Sequence, residues 1–451
     1  MSEIIDEKVV AGAKDPNVVK EDPIVALTEK VQSLYFFRDH YFETHSIADA
    51  VRKSSDVEKK MKDTLIKFEE CHGYEIDGCR AQYYFLKGKT LNVIDRFVPQ
   101  AEELLSKAVK LEPSLIDAWN ELGECYWKND DIQQAKNCFI GALPHGKNKV
   151  SLRNLSMVLR QEPTATYDQQ VQNVQQGVER AKEAVSLDTS DGVSWAILGN
   201  AYLSSFFTIV QNPMTLRLCM SAYAQAEKDV VARCNPDLFY NKAIALKYQE
   251  EYKLALESFE QATLLDPTWN IPKDKRDELL KYLKDVKNLV NSNGRLKPKK
   301  LHQMIQTMDK KQLGAYKDGF YTSGNKFVKL NLIPIKELIP GANLEKLIFG
   351  KVVCWIQDPD CVPFTFCLVD KDKTCIAVTL YNLAKGRGVT VGDSVVIPEP
   401  YLTCHDFSYG DDTFNFKSIR VETPVVLILN GRKMGREQQA STKLSTFKKT
   451  D

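Results

Sequence analysis

No run of about 18 or more apolar residues occurs in the chain, so no membrane-spanning helix is expected. Charge of one sign is also missing. Sixty-one Lys and Arg stand against 60 Asp and Glu, a net charge of +1. That balance excludes a bulk electrostatic pull toward nucleic acid or an acidic membrane. The N-terminal "MSEIIDEKVVAGAKDPNVVKEDP" is acidic and mixed and has no apolar core of a signal peptide. A soluble intracellular protein is expected. The 11 cysteines include no Cys-x-x-Cys. Cys125, Cys138, Cys354 and Cys367 sit inside apolar patterns, as buried reduced thiols do. Cys71, His72 and Cys79 lie close together but lack a second ligand pair at zinc spacing, so no metal and no cofactor is expected. There is no nucleophile elbow, P-loop or dinucleotide glycine fingerprint. The six histidines (His40, His45, His72, His145, His302, His405) show no spacing suited to acid–base work. The expectation is a protein that is not an enzyme.

What is present is a repeat. From Trp119, Leu122, Gly123 and Tyr126 fall on one face of a helix, and Ala135, Phe139 and Ala142 on one face of a second. Small residues let the two helices approach, and aromatics fill the space between pairs. "WAILGNAY" repeats the first helix with Trp195, Leu198, Gly199 and Tyr202. "AEELLSKAVKLEP" and "ALESFEQATLLDP" repeat the second, and "AKEAVSLD" adds Ala181 and Ala184. Ala108 to Ala142 is one 34-residue period, the tetratricopeptide (TPR) spacing. About five units are read between roughly residues 81 and 270. Helices without the signature precede them, and the amphipathic "KDKRDELLKYLKDVKNLVNS" closes the array.

Near "NSNGRLKPKK" the helical period stops, and Lys297, Lys299, Lys300, Lys310 and Lys311 make a basic crossing. Beyond it the period is two: "FVKLNLI", "KLIFGKVVCWI", "FTFCLVD", "TCIAVTLYN", "DSVVIPEP", "NFKSIRVET" and "VVLILNG" read as short strands. A long first strand with Gly350 at a bend, a hairpin at "VDKDKT" and a crossing at "LAKGRG" resemble an OB fold. The predicted fold is an all-α TPR superhelix followed by a small OB-fold β-barrel. Its parts are a disordered extension (1–23), helical repeats (24–290), a basic linker (291–318), the barrel (319–432) and a disordered tail (433–451). Trp355, Phe364, Phe366, Tyr381 and Phe416 are candidate stacking residues for single-stranded nucleic acid. Barrel core is the favoured reading, because residues 320–430 carry 11 basic against 12 acidic residues where a basic excess is expected.

In a TPR unit the first helix lines the concave side. Its non-packing face offers Asn120, Glu124 and Trp127 in one unit, Arg160 in the next, Asn200 in the Trp195 unit, and Asp237, Asn241 and Tyr248 in the last. One arginine among carboxylates and amides suits an extended peptide carrying both charge signs. The lysine-rich clamp for a C-terminal carboxylate is absent.

Together, "AEELLSKAVKLEP", "NKVSLRNLSMVLRQ", "SAYAQAEK" and "NPDL", followed by "GKVV", "VPFTF", "LVD" and "GDSVVIPEP", resemble the tetratricopeptide repeat protein 5 (Strap) family from about residue 30 to 430. The resemblance implies two roles, one cytoplasmic and one nuclear. The first is tubulin autoregulation: gripping the Met-Arg-Glu-type N-terminus of nascent tubulin at the ribosome and recruiting an mRNA-decay adaptor. The second is a stress-responsive co-activator scaffold that gathers an acetyltransferase and other transcriptional cofactors in the DNA-damage response. By the same resemblance Arg160 and Asp237 contact the peptide, and Lys110, with Lys107, faces the ribosome. The family's second acidic groove residue has no match here, since Ile271 stands in its place.

Overall fold

The computed structural model describes residues 23–70, 79–209, 211–323, 326–356, 362–384 and 386–440. The expectations for residues 1–22 and 441–451, and the Cys71 and His72 part of the candidate metal cluster, lie outside them. By internal contacts the described chain forms two compact units, residues 23–44 with 52–147 and residues 45–51 with 148–440.

The first unit is helical: α1 (Pro23–Asp39), α2 (Tyr41–Thr44), α3 (Lys53–Glu70), α4 (Arg80–Leu91), α5 (Pro99–Leu111), α6 (Ile116–Lys128) and α7 (Ile132–Ala142). Helices α4/α5 and α6/α7 are antiparallel hairpins, and α5 packs on α6. The core is built from the periodic positions, among them Leu86, Leu105, Ala108, Ala118, Leu122 and Cys125. A Cβ placed on Gly123 would stand 2.5 Å from the Phe139 ring, so the hairpin closes only around a glycine. Gly199 stands in the same relation to Tyr223, at 2.4 Å. The indole N–H of Trp119 donates to the Pro113 carbonyl at 2.8 Å, and that of Trp195 to the Thr189 carbonyl at 2.9 Å. In both units the tryptophan pins the turn before its own helix.

In the second unit three further hairpins follow: α8 (Lys149–Gln161) with α9 (Tyr167–Leu187), α10 (Gly192–Thr208) with α11 (Pro213–Ala226), and α12 (Pro236–Tyr248) with α13 (Tyr252–Leu265). The long α14 (Asn270–Asn291) and short α15 (Pro298–Gln306) close the helical part. The strands are β1 (Phe320–Ser323), β2 (Lys326–Lys329), β3 (Asn331–Leu332), β4 (Gly341–Ala342), β5 (Lys346–Ile356), β6 (Phe364–Val369), β7 (Cys375–Leu380), β8 (Ser394–Pro398), β9 (Tyr401–Tyr409), β10 (Asp412–Val421), β11 (Ile428–Leu429) and β12 (Arg432–Lys433). β1 and β2 form a separate hairpin. The others run in the order β12-β11-β8-β5-β6-β7-β10-β9-β4, with β3 on β5. All pairs along this order are antiparallel except β7–β10, which is parallel, as is β3–β5. β5 changes partner from β8 to β6 at Lys351, one residue past Gly350, with a bulge between Val352 and Cys354.

Both faces of the central strands are buried, which is why they read as continuous apolar runs. Inside the barrel lie Val352, Phe366, Leu368, Val378, Val395 and Ile419. On the other face Val353, Cys367, Val369, Ala377, Phe414 and Phe416 pack against Leu279, Tyr282, Leu283 and Val286 of α14. Tyr282 Oη and Thr365 Oγ1 share a buried hydrogen bond of 2.9 Å across this seam. The barrel is therefore joined to the end of the repeat by a dry face, not by a tether.

Four sequence expectations change here. Residues 291–318, read as a basic linker, are folded: Leu301, Met308, Leu313 and Tyr316 are buried, and Met308, Leu313 and Tyr316 pack on Leu347, Phe349 and Val396. The lysines of that stretch stay exposed because the amphipathic α15 turns only its apolar side inward. Residues 433–440, read as disordered, are tied to the barrel, with Met434 buried and the Ala384 N–H donating to the Gln438 carbonyl. "VVLILNG" is a 3₁₀ turn and a two-residue strand entering a tight turn at Asn430 and Gly431, both at positive φ. β9 went unrecognised because its alternation passes through Cys404, His405 and Asp406, although Tyr409 to Asp412 carries a turn signal.

Candidate functional site

Helices α8, α10 and α12 are the first members of successive hairpins, and α10 packs against both of its neighbours. They form one wall of the second unit, and Arg160, Asn200 and Asp237 stand on them. Each helix is set by local chemistry. The Asn148 side chain caps α8 by accepting from the Ser151 N–H, and the Asn235 side chain caps α12 by accepting from the Asp237 N–H, with Pro236 as the first helical residue. Arg160 lies in the last turn of α8 and Asp237 in the first turn of α12, each at the helix end whose dipole favours its charge.

Arg160 is half-buried. Its Nε donates to the Ser156 carbonyl at 3.1 Å and its Nη1 to Ser204 Oγ at 3.2 Å. The stem lies on Gly177 of α9, where a Cβ would stand 2.9 Å from Arg160 Cγ. Among the described residues no carboxylate pairs with it. Burial pulls the guanidinium down to about 10, so it is still charged at neutral pH. Asp237 is the complement. Its surface is accessible, yet the surrounding protein removes enough water to raise the carboxyl above the usual range, and the nearby Asp266 raises it further. No cation among the described residues pairs with Asp237. Two opposite charges thus stand on one wall, half-buried Arg160 and exposed Asp237, neither neutralised internally. A charge partly cut off from water and without a partner gains from an incoming group of opposite sign, and that gain is larger at half-buried Arg160 than at exposed Asp237.

The amides are placed differently. Asn200 is half-buried, and its Oδ1 accepts from Tyr223 Oη at 2.8 Å, leaving its NH₂ as the available function. Asn241 is buried and its Oδ1 has no hydrogen-bond partner. Tyr248, expected to face a ligand, is instead core: it packs on Phe206, Phe207 and Tyr381, its hydroxyl donates to Gln211 Oε1, and its carbonyl accepts from Arg420. The barrel covers the end of α12, a contact invisible in the repeat pattern.

Asn120, Glu124 and Trp127 belong to the first unit. Asn120 is buried rather than presented, while Glu124 and Trp127 are half-buried. Next to them lies a polar cluster that periodicity did not single out. Glu121 pairs with Lys89 at 3.0 Å and accepts from Tyr35 Oη and Asn92 Nδ2. Lys107 and Lys110 are exposed on α5, Lys107 bound to Glu103 at 2.7 Å. Ile271 is half-buried in the first turn of α14. Asp266 supplies a second carboxylate close to Asp237, and its Oδ1 is hydrogen-bonded by Thr268. Of the five candidate stacking aromatics, Phe366, Tyr381 and Phe416 are buried and half-buried Phe364 packs against the barrel core, leaving Trp355 exposed. Among the described residues no group of three His, Cys, Asp or Glu is arranged to hold a metal ion. No described helix is long and apolar enough to cross a membrane.

Comparison with known proteins follows this architecture. Residues 329–443 match the family model "Tetratricopeptide repeat protein 5 OB fold domain", and residues 116–143 and 236–268 match "Tetratricopeptide repeat". The chain is 50% identical over 417 residues to tetratricopeptide repeat protein 5 of Homo sapiens, covering 92% of this chain and 94% of that protein. It is 49% identical to the Mus musculus protein and 48% identical to the Bos taurus protein, over 92% and 93% of this chain and 94% and 96% of theirs. Among solved structures, YrrB, "a TPR protein with an unusual peptide-binding site", is 20% identical, with a TM-score of 0.31 over 47% of this chain and 97% of its own.

Proposed function

The chain belongs to the tetratricopeptide repeat protein 5 family, and from that premise we propose that it is a non-enzymatic adaptor whose helical wall grips a short charged peptide, the Met-Arg-Glu-type N-terminus of nascent tubulin. The supporting observation is the pair of opposite, internally unpaired charges on one wall, half-buried Arg160 and exposed Asp237. A peptide with an arginine beside a glutamate satisfies both, the arginine on Asp237 and the glutamate on Arg160. The half-buried Asn200 offers its NH₂ as a donor to the peptide backbone. Asp266 is the carboxylate that takes over where Ile271 replaces the family's second acidic residue. Captured at the ribosome, with Lys110 and Lys107 on the ribosome-facing side, the peptide would mark its own message for decay through a recruited adaptor.

Ribosome–nascent-chain complexes carrying a tubulin or a scrambled N-terminus test this directly. Each charge-assisted hydrogen bond is worth about 1.5–3 kcal/mol, roughly 10- to 100-fold in affinity. Arg160→Ala and Asp237→Ala should each lose that much capture of the tubulin chain while thermal unfolding stays close to that of the parent. Normal crosslinking by both variants would reject the site. A transcriptional scaffold, the family's other role, would use other surfaces and survive both changes. Oligonucleotide binding by the barrel would instead show as steep salt dependence.

A further inference from the structure

Three cysteines meet on one face of the barrel. Cys354 on β5 stands directly opposite Cys367 on β6 in the antiparallel ladder. Cys375 on β7 lies one diagonal step from Cys367, whose direct partner is Ala377. Both neighbouring thiols stand close enough to the Cys367 thiol to push it up. All are free thiols; Cys367 is buried, while Cys354 and Cys375 are partly exposed. Directly opposed residues of an antiparallel pair have Cα atoms about 4.5–5.5 Å apart, within the roughly 4.4–6.8 Å span of a disulfide. We propose that Cys354 and Cys367 form a reversible peroxide-responsive disulfide on the barrel face that packs against α14.

Exposure assigns the roles, since Cys354 is partly open to solvent and Cys367 is buried, and the local electrostatics run the same way. The neighbouring Cys367 and, less strongly, the charge of Arg295 hold the Cys354 thiol below its ordinary value against the opposing effect of burial. The neighbouring Cys354 and Cys375, and then burial, push the Cys367 thiol up. Arg295 is brought there by the turn after α14, where Gly294 packs on the Val353 backbone. Cys354 is therefore the accessible nucleophile and Cys367 the resolving thiol. Cys354 sulfur attacks one oxygen of hydrogen peroxide. An S–O bond forms, the O–O bond breaks, and the departing hydroxide takes up a proton as water. The Cys367 sulfur then attacks the resulting sulfenic acid. The S–S bond forms, the S–O bond breaks, and the second hydroxide leaves as water with the Cys367 proton. Two thiols and one peroxide give one disulfide and two waters. The new bond ties together β5 and β6, strands that carry part of the barrel's contact with α14.

The full chain, reduced and then titrated with hydrogen peroxide, is digested without reductant and mapped by mass spectrometry. The expected product is a peptide pair joining Cys354 to Cys367, formed with loss of two hydrogens from the intact mass and reversed by dithiothreitol. Thiol loss at Cys354 should run about tenfold faster than at the exposed control Cys404. Cys354→Ser should abolish the linked pair and Cys404→Ser should leave it intact. Should Cys354→Ser fail to fold, mapping of the unsubstituted chain decides alone. A link from Cys354 to Cys361 instead, over-oxidation of Cys354 without any link, or oxidation confined to Cys79 and Cys404 would each overturn the proposal.

Discussion

His405 sits between Phe416 and Tyr252, its ring centroid 4.7 and 5.0 Å from theirs, and shares a 2.9 Å hydrogen bond with Ser418 Oγ. Burial lowers its pKa to about 4 from 6.5. The unfolded chain therefore takes up a proton at this residue before the folded chain does. Its contribution is complete above about pH 6.5 and is lost as pH falls toward about 4, amounting to about 3 kcal/mol. Glu250 Oε2, 4.0 Å away, works in the opposite sense, because burial raises its carboxyl and the folded state takes that proton first. Urea titrations at pH 7.5 and pH 5 should show His405→Gln losing less stability than its parent between the two conditions. Equal losses would mean that His405 does not titrate as described. A second residue-scale prediction concerns Gly123. Ala at this position forces a methyl into the Phe139 ring and should destabilise the first unit by about 1–3 kcal/mol in thermal unfolding. The methyl's benefit to helix propensity, about 1 kcal/mol, falls short of that.

Between elements, the contact that matters most is the one that β10 makes with the end of α12. Arg420 donates to the Tyr248 carbonyl at 2.8 Å, lies 3.4 Å from Glu250 Oε1, and covers the Tyr248 and Tyr381 rings. Tyr381 Oη donates to the same carboxyl oxygen at 3.0 Å. Arg420→Ala would strand Glu250 in a dry seam at a cost of about 3–5 kcal/mol. The loss should appear as a lower urea midpoint, and adding Glu250→Gln to the same chain should recover part of it. Unchanged midpoints would show that the seam is held by apolar packing alone. This junction explains why the sequence led to Tyr248 as a groove residue. Helical spacing locates a face correctly but cannot report that a strand more than a hundred residues later covers its last turn. Spacing alone could assign Arg160 and Asp237 to the first-helix face because neither belongs to the apolar signature, but it could not show that the Arg160 stem packs on Gly177. Asn120 and Asn241 were misleading for the opposite reason, since an amide can be buried where a charge rarely is. The folded crossing at 291–318 was hidden by its lysines, whose frequency masked the spacing of Leu301, Met308, Leu313 and Tyr316.

At the scale of the whole molecule, domain boundaries drawn from composition differ from the boundaries of cooperation. Composition separates helices from strands near residue 319. Contacts instead keep the last three hairpins with the barrel and divide the chain after Lys147. Trp269 lies between α13 and α14 and packs on Tyr240, whereas Trp355 lies on β5. Variants retaining only one of these two tryptophans should therefore report a single shared urea transition, as expected of one cooperative unit. Two separated transitions would mean that barrel and helices unfold independently.

The covered sheet face also limits how this architecture can lengthen. An open solenoid gains units by duplication, each new hairpin finding the exposed side of the last one. Here that docking side is already occupied, for α14 gives its apolar stripe to Phe414, Phe416 and Val353. A hairpin inserted before α14 would have to reproduce both Tyr248 and Glu250 for Arg420, or leave the barrel without its seat. A chain lengthened at this end would therefore lose the barrel's seat, whereas the loops between hairpins carry no such constraint.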